Sequence, residues 1–172
     1  MRLEQPSWPK TLPTWLVVNL ATLGLIGRKL PAPGTWGSLV GTAFAAVLVP
    51  ALGVWGVIGF SVVAGYLAVG ICGESEVRLG KQDPGEVILD EFVAMPLCFL
   101  GWSTLVVGWP TWVVLAAGFA LFRFFDILKP LGISRLQALP AGWGVVIDDL
   151  AAALAACAAL HAVHCGWAMF AR

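Results

Sequence analysis

The sequence predicts an all-α fold, a polytopic bundle of about five membrane-spanning helices preceded by an N-terminal interfacial or re-entrant helix. Three observations carry this prediction. Hydrophobic residues make up 59% of the 172-residue chain and charged residues 12%, with a mean hydropathy of +0.88. Soluble domains run near ~45–50% apolar and ~25% charged. Residues 30–73, 92–122 and 150–171 carry no Asp, Glu, Lys or Arg. The ten acidic and ten basic side chains gather mostly in two polar islands, 74–91 and 123–149.

The elements follow in order. Residues 11–27 are apolar but interrupted by Asn19, Thr22, Gly24 and Gly27, which suits a helix lying in or dipping into the interface. A crossing needs about 20 apolar residues, so 38–73 suits two crossings, with Pro50, Gly53 and Gly56 at the turn. The run 92–122 also suits two, turning at Gly101, Gly108 and Pro110, and 150–171 supplies one more. The first ten residues, MRLEQPSWPK, show no signal-peptide pattern, so the helices themselves are expected to direct insertion. The charged loops at 28–29, 78–81 and 129–135 then emerge on one side, with Arg172 across. Lys and Arg stay cytoplasmic during insertion, so that side is expected to face the cytoplasm. Trp55, Trp102, Trp109, Trp112 and Trp167 fall near expected helix ends, as interfacial anchors do.

Composition also excludes functions. Formal net charge is zero and no basic patch is interleaved with aromatics, so nucleic acid is not an expected partner. Cys72, Cys98, Cys157 and Cys165 lack CxxC spacing and read as buried free thiols. His161 and His164 lie far from the carboxylates and suit a helix-end role rather than metal ligation.

A charge at the bilayer centre costs roughly 2.5–3.5 kcal/mol, so carboxylates beside membrane helices need a reason. Four segments supply candidates. In residues 30–38, Pro31 and Pro33 fix an extended approach. Gly34 and Gly37 let backbone approach a ligand, and Thr35 or Ser38 can cap the following helix. A helix start with free N–H groups attracts phosphate; the plain alternative is an ordinary loop and cap. Asp90 and Glu91 open the next apolar run, where the helix dipole accounts for one acid better than for two. Glu74, Glu76, Asp83 and Glu86 read as solvated loop charges. Arg123, Asp126 and Lys129, at i, i+3 and i+6, share one side of a helix end that Pro130 stops. They read either as a self-neutralising ladder or as a metal ligand flanked by anion-binding cations. Asp148 and Asp149 sit deeper than a simple cap and repel each other, a penalty that a divalent cation relieves. The acids Asp90, Glu91, Asp126, Asp148 and Asp149 offer oxygen ligands only, which suits Mg²⁺ and metal-assisted phosphoryl chemistry.

The stretches PAPGTWGSLVG (31–41), LDEFVAM (89–95), FRFFDILKPLGI (122–133) and GVVIDDLAAA (144–153) together resemble the phosphatidylglycerophosphatase A family. Leu131-Gly132 and Ala141-Gly142 depart from the usual family pattern in loops, not at charged groups. The resemblance implies one integral-membrane phosphatase domain over residues 1–172. It implies Mg²⁺-dependent conversion of phosphatidylglycerophosphate, a phospholipid held in the bilayer, to phosphatidylglycerol and inorganic phosphate. The setting implied is a bacterial inner membrane with the site facing the cytoplasm. The family pattern carries over to Asp90, Glu91, Arg123, Asp126, Lys129, Asp148 and Asp149. Metal falls to the five acids, and the phosphate to Arg123, Lys129 and the segment Gly34, Thr35, Gly37 and Ser38. Water or a carboxylate can serve as nucleophile. The rival readings are a cation-coupled transporter, which usually places its acids at mid-membrane, and a non-catalytic membrane subunit.

Overall fold

Proline and glycine decide where the longest helix turns. In the computed structural model, which describes residues 4–170, helix α3 (Pro33–Leu79) contains one residue outside the helical region, Gly53, at φ 63° and ψ −174°. Pro50 lies just before it and removes a helical N–H. Phe44 and Phe60 have ring centroids 5.6 Å apart. In a straight helix they would stand roughly 24 Å apart, so the chain doubles back at Gly53. The arms 33–52 and 54–79 therefore form a helical hairpin, turned where the Pro50–Gly53 pattern predicts.

The other elements are α1 (Thr14–Ala21), α2 (Leu25–Lys29), α4 (Leu89–Ala94), α5 (Trp102–Leu105), α6 (Thr111–Leu128) and α7 (Gly142–Phe170). Short 3₁₀ turns occupy Trp8–Thr11, Met95–Phe99 and Ile133–Ala138. No strand occurs among the described residues. Three helices, α3, α6 and α7, are long and apolar enough to cross a membrane.

The expected second hairpin differs from the sequence reading. Its latter half is α6, but residues 89–105 break into α4, a 3₁₀ turn and α5. Pro96 opens the 3₁₀ turn, and Gly101 leaves the helical region at φ 75°. Ala94, Met95, Cys98 and Phe99 are fully buried, enclosed by α3, α6 and α7. Irregular backbone is tolerated at membrane depth only where protein surrounds it, and that is the case here. Small residues on the first arm let this element in. A Cβ at Gly41 would lie 2.8 Å from Met95 Cγ and 3.0 Å from Phe92 O. Gly37, Gly41 and the fully buried Ala45 form a small-xxx-small face of the kind that brings membrane helices close.

The N-terminal region is too short to cross, since eight residues of α1 span about 12 Å. Val17 and Ala21 are buried while Trp15 and Leu20 are exposed. Arg78 fastens this region by donating to Leu12 O at 2.7 Å and to Pro9 O at 3.1 Å. Arg78 also pairs at 2.8 Å with Glu74. Glu74 and Glu76 thus belong to α3 rather than to a loop, and Glu74 is buried, not solvated. The ladder of helical hydrogen bonds simply continues past the apolar run. Arg172 and Ala171 lie outside the described residues.

At the far end of the bundle, His161 Nε2 lies 2.7 Å from Leu100 O and His164 Nε2 lies 2.9 Å from Val107 O. Both histidines tie the connector between α4 and α6 to α7, the helix-end role the sequence suggests. Cys72, Cys98 and Cys157 are buried free thiols, whereas Cys165 is exposed.

Candidate active site

Three helix termini bring the acids together. Ile88 N donates to Ala21 O at 2.9 Å, which anchors the start of α4 and sets Asp90 and Glu91 in its first turn. Helix α6 ends because Lys129 adopts φ 44° and Pro130 follows. That ending leaves Arg123, Asp126 and Lys129 along one side of the last turns. Helix α7 begins at Gly142, packed so tightly on the second arm of α3 that a Cβ there would run into Val69 O. Asp148 and Asp149 follow in its second turn, 2% and 5% exposed.

These groups surround a cavity of about 180 Å³. Asp90, Glu91, Asp126, Asp148 and Asp149 all line it, with Lys129 as the lining cation and Gly34 at one wall. Lys129 Nζ hydrogen-bonds Asp148 Oδ2 and lies 4.0 Å from Asp126 Oδ1. Arg123 Nη1 donates to Asp126 Oδ2 at 2.8 Å and pairs at 3.2 Å with Glu91 Oε1. Among the described residues, Asp90 and Asp149 take part in no ion pair, although both are buried. Burial, then the neighbouring Glu91 charge, pushes the Asp90 carboxyl well above the usual carboxylate range. Burial likewise raises Glu91 to about 7, against the Ser38 hydrogen bond and the Arg123 charge. Carboxyls raised in this way, inside a cleft, make this cavity the candidate site.

A cavity walled by six acids, Asp83 among them, and one lysine, at the end of an apolar helical bundle, is where the chain can be compared with known proteins. The family model described as phosphatidylglycerophosphatase A matches residues 19–164. The chain belongs to the phosphatidylglycerophosphatase A family. A relative from Haemophilus influenzae, named phosphatidylglycerophosphatase A, is 38% identical over 86% of this chain and 88% of its own length. An Escherichia coli relative of the same name is 31% identical over 78% of this chain and 76% of its own. No solved structure matches. The chain is thus a membrane phosphatase of lipid biosynthesis.

Within this phosphatase the other candidates separate from the cavity. Thr35 is exposed, and Thr35, Gly37, Ser38 and Arg123 do not line it. Helix α3 starts earlier than the sequence suggests, because Pro33 suits the first helical position. Thr35 and Ser38 therefore cap nothing. The amides of Thr35 and Trp36 already donate to Ala32 O, at 3.0 and 3.4 Å. Segment 34–38 is then helix packed on α4, not a loop cradling an anion. A Cβ at Gly37 would lie 2.9 Å from Ile88 Cβ, and one at Gly34 would collide with Glu91 Oε1. Asp83 is an exposed loop charge, as the sequence reads it, and it also lines the cavity. Its φ is 45°, and its amide donates to Glu76 Oε1 at 2.6 Å. The Asp-Pro-Gly turn just before the acidic pair is the signal that could have found it.

Proposed function

We propose that this chain hydrolyses the terminal phosphate monoester of phosphatidylglycerophosphate in a Mg²⁺-dependent reaction, releasing phosphatidylglycerol and inorganic phosphate. The observation that carries the reading is the shared cavity of Asp90, Glu91, Asp126, Asp148 and Asp149, in a chain of this family. Mg²⁺ fits the donors, which are all hard oxygens, and the need for charge, since among the described residues two buried acids have no cationic partner. Among the described residues no ready-made cage of three such groups exists. Mg²⁺ keeps several waters and does not demand one. Asp90, Asp149 and Asp148 would hold it, with Asp126 and Glu91 completing the acidic wall. Bound there, Mg²⁺ supplies charge neutralisation for the phosphate and lowers the proton affinity of water.

Lys129 faces the cavity and meets the transferring phosphoryl oxygens. Glu91, raised to about 7, is matched to taking up and returning a proton near neutral pH. The acyl chains stay in the bilayer while the headgroup enters at the charged end. That end faces the cytoplasm of a bacterial inner membrane, because Arg28, Lys29, Arg78, Lys81, Lys129 and Arg135 cluster there. The test is phosphate release from phosphatidylglycerophosphate by purified, detergent-solubilised protein, first with Mg²⁺ and then with EDTA. Release that EDTA abolishes supports the reading, and no release by folded protein with Mg²⁺ overturns it.

A further inference from the structure

We propose that Ser38 and Arg123 form a buried bracket that positions the acidic wall, and that Ser38 does not bind the substrate phosphate. The proposal rests on the active-site reading above. Ser38 is fully buried and lies behind the cavity wall. Its Oγ is 2.6 Å from Glu91 Oε2, 2.8 Å from Gly34 O and 3.3 Å from Arg123 Nη1. That same Nη1 reaches Glu91 Oε1 at 3.2 Å and Asp126 Oδ2 at 2.8 Å. One hydroxyl and one guanidinium nitrogen thus join the first arm of α3, α4 and the end of α6, whose residues lie far apart in sequence. Each oxygen of the Glu91 carboxylate has its own partner, Oε2 the hydroxyl and Oε1 the guanidinium. This fixes the carboxylate's rotation as well as its place. Asp126 is held by Arg123 from behind while Lys129 stands 4.0 Å from its other oxygen.

Gly34 and Gly37 complete the bracket. Any Cβ at either position would push on the Glu91 carboxylate, at 3.2 Å from Oε2 in the case of Gly37. A phosphate could reach Ser38 Oγ only by displacing Glu91 from the wall. The cation left facing the cavity is Lys129, and Arg123 spends its Nη1 on carboxylates instead.

The bracket is tested by a double-mutant cycle on phosphate release, using Ser38→Ala and Glu91→Asp. The aspartate keeps the charge but draws the carboxylate back from Ser38. Ser38→Ala alone is expected to lower kcat/KM about tenfold, the size of one lost hydrogen bond to a charged group. In the Glu91→Asp background it is expected to change kcat/KM less than about twofold, because its partner has already withdrawn. Ser38→Thr keeps the hydroxyl and is expected to restore most of the rate. Equal losses in both backgrounds overturn the proposal, because Ser38 then acts independently of Glu91. Wild-type rates for Ser38→Ala overturn it as well. Thermal unfolding of the same four proteins in detergent reads the Ser38–Glu91 coupling without substrate. If wild type releases no phosphate from the lipid, the functional reading fails, while additive shifts in Tm separately sink the bracket.

Discussion

The two ends of this bundle hold the same connector by opposite means. At one end, residues 89–91 meet α6 through the Glu91–Arg123 ion pair, and the end of α6 meets α7 through Lys129 and Asp148, all partly or wholly buried. At the other, residues 100–109 meet α7 through two histidine–carbonyl contacts and the packing of Trp109 on His164 and Trp167. Neutral contacts suffice to fasten a membrane helix. Burying Asp90, Asp148 and Asp149 beside two half-buried acids costs stability unless something binds there, since like charges taken out of water repel. The difference between the ends is what the proposed chemistry at the acid end would explain.

The sharpest way to break the comparison is to neutralise one acid. Asp149→Asn removes a buried carboxylate that, among the described residues, lies in no ion pair. Phosphate release is expected to fall on the order of 10³-fold, while the protein still inserts and unfolds at a similar temperature. Asp148→Asn is expected to do the same, with some loss of stability because Lys129 loses its partner. Wild-type-like release from both variants would remove the acid end from the chemistry. Lys129→Met ranks next, at about 10²-fold in kcat/KM, since the charged donor lining the cavity is lost. A fall in kcat/KM with an unchanged KM for phosphatidylglycerophosphate would assign Lys129 to the transition state rather than to binding.

Much of the acid end was legible in sequence, because charge is rare in this chain and each acid stands out against apolar neighbours. The turn at Gly53 was legible for a similar reason, with Pro50 and a glycine in one short stretch. Residues 89–105 were not. Hydropathy registers Ala94, Met95, Cys98 and Phe99 as apolar but cannot tell protein surroundings from lipid. The run 92–122 therefore reads as two crossings although Pro96 and Gly101 break its first half. Nor could spacing reveal that Ser38 and Arg123 stand behind the wall. That depends on contact between residues separated by 85 positions. Segment 34–38 carries the composition of an anion loop, yet its glycines serve close packing on α4.

Steric and titration experiments sharpen the contrast further. Gly41→Leu drives a side chain into Met95 and Phe92, and overpacking of this kind costs about 1–3 kcal/mol. Thermal unfolding in detergent is expected to shift down, with activity falling as α4 is pushed from the wall. Unchanged unfolding and activity would mean that α4 has slack. In metal-free protein, stability is expected to drop with rising pH. Glu91 moves from 4.5 to about 7 on folding, so the folded state keeps a proton that the unfolded chain releases between those values. With more protons bound folded than unfolded, stability declines from about pH 4.5 to about pH 7 and does not recover above it. Glu91→Gln is expected to flatten that decline in EDTA, measured as Tm against pH. An identical slope in both proteins would reject the burial of Glu91 as its cause.

The smallest effect is expected at the far end, and it tests the comparison most directly. His161→Ala removes the donor to Leu100 O, a contact worth about 1 kcal/mol net. Unfolding should shift by a few degrees at most, and kcat/KM per folded molecule should stay within about twofold of wild type. The reason lies in how the connector is built. Between Glu91 and Leu100 the connector's own Ala94, Met95, Cys98 and Phe99 are fully buried against α3, α6 and α7, so slack at one end is absorbed by packing before it reaches the other. A variant of near-normal stability but tenfold lower activity would contradict this. It would mean that the neutral end holds the acids in register, and that the short buried segment transmits position along its length rather than isolating the site from the rest of the bundle.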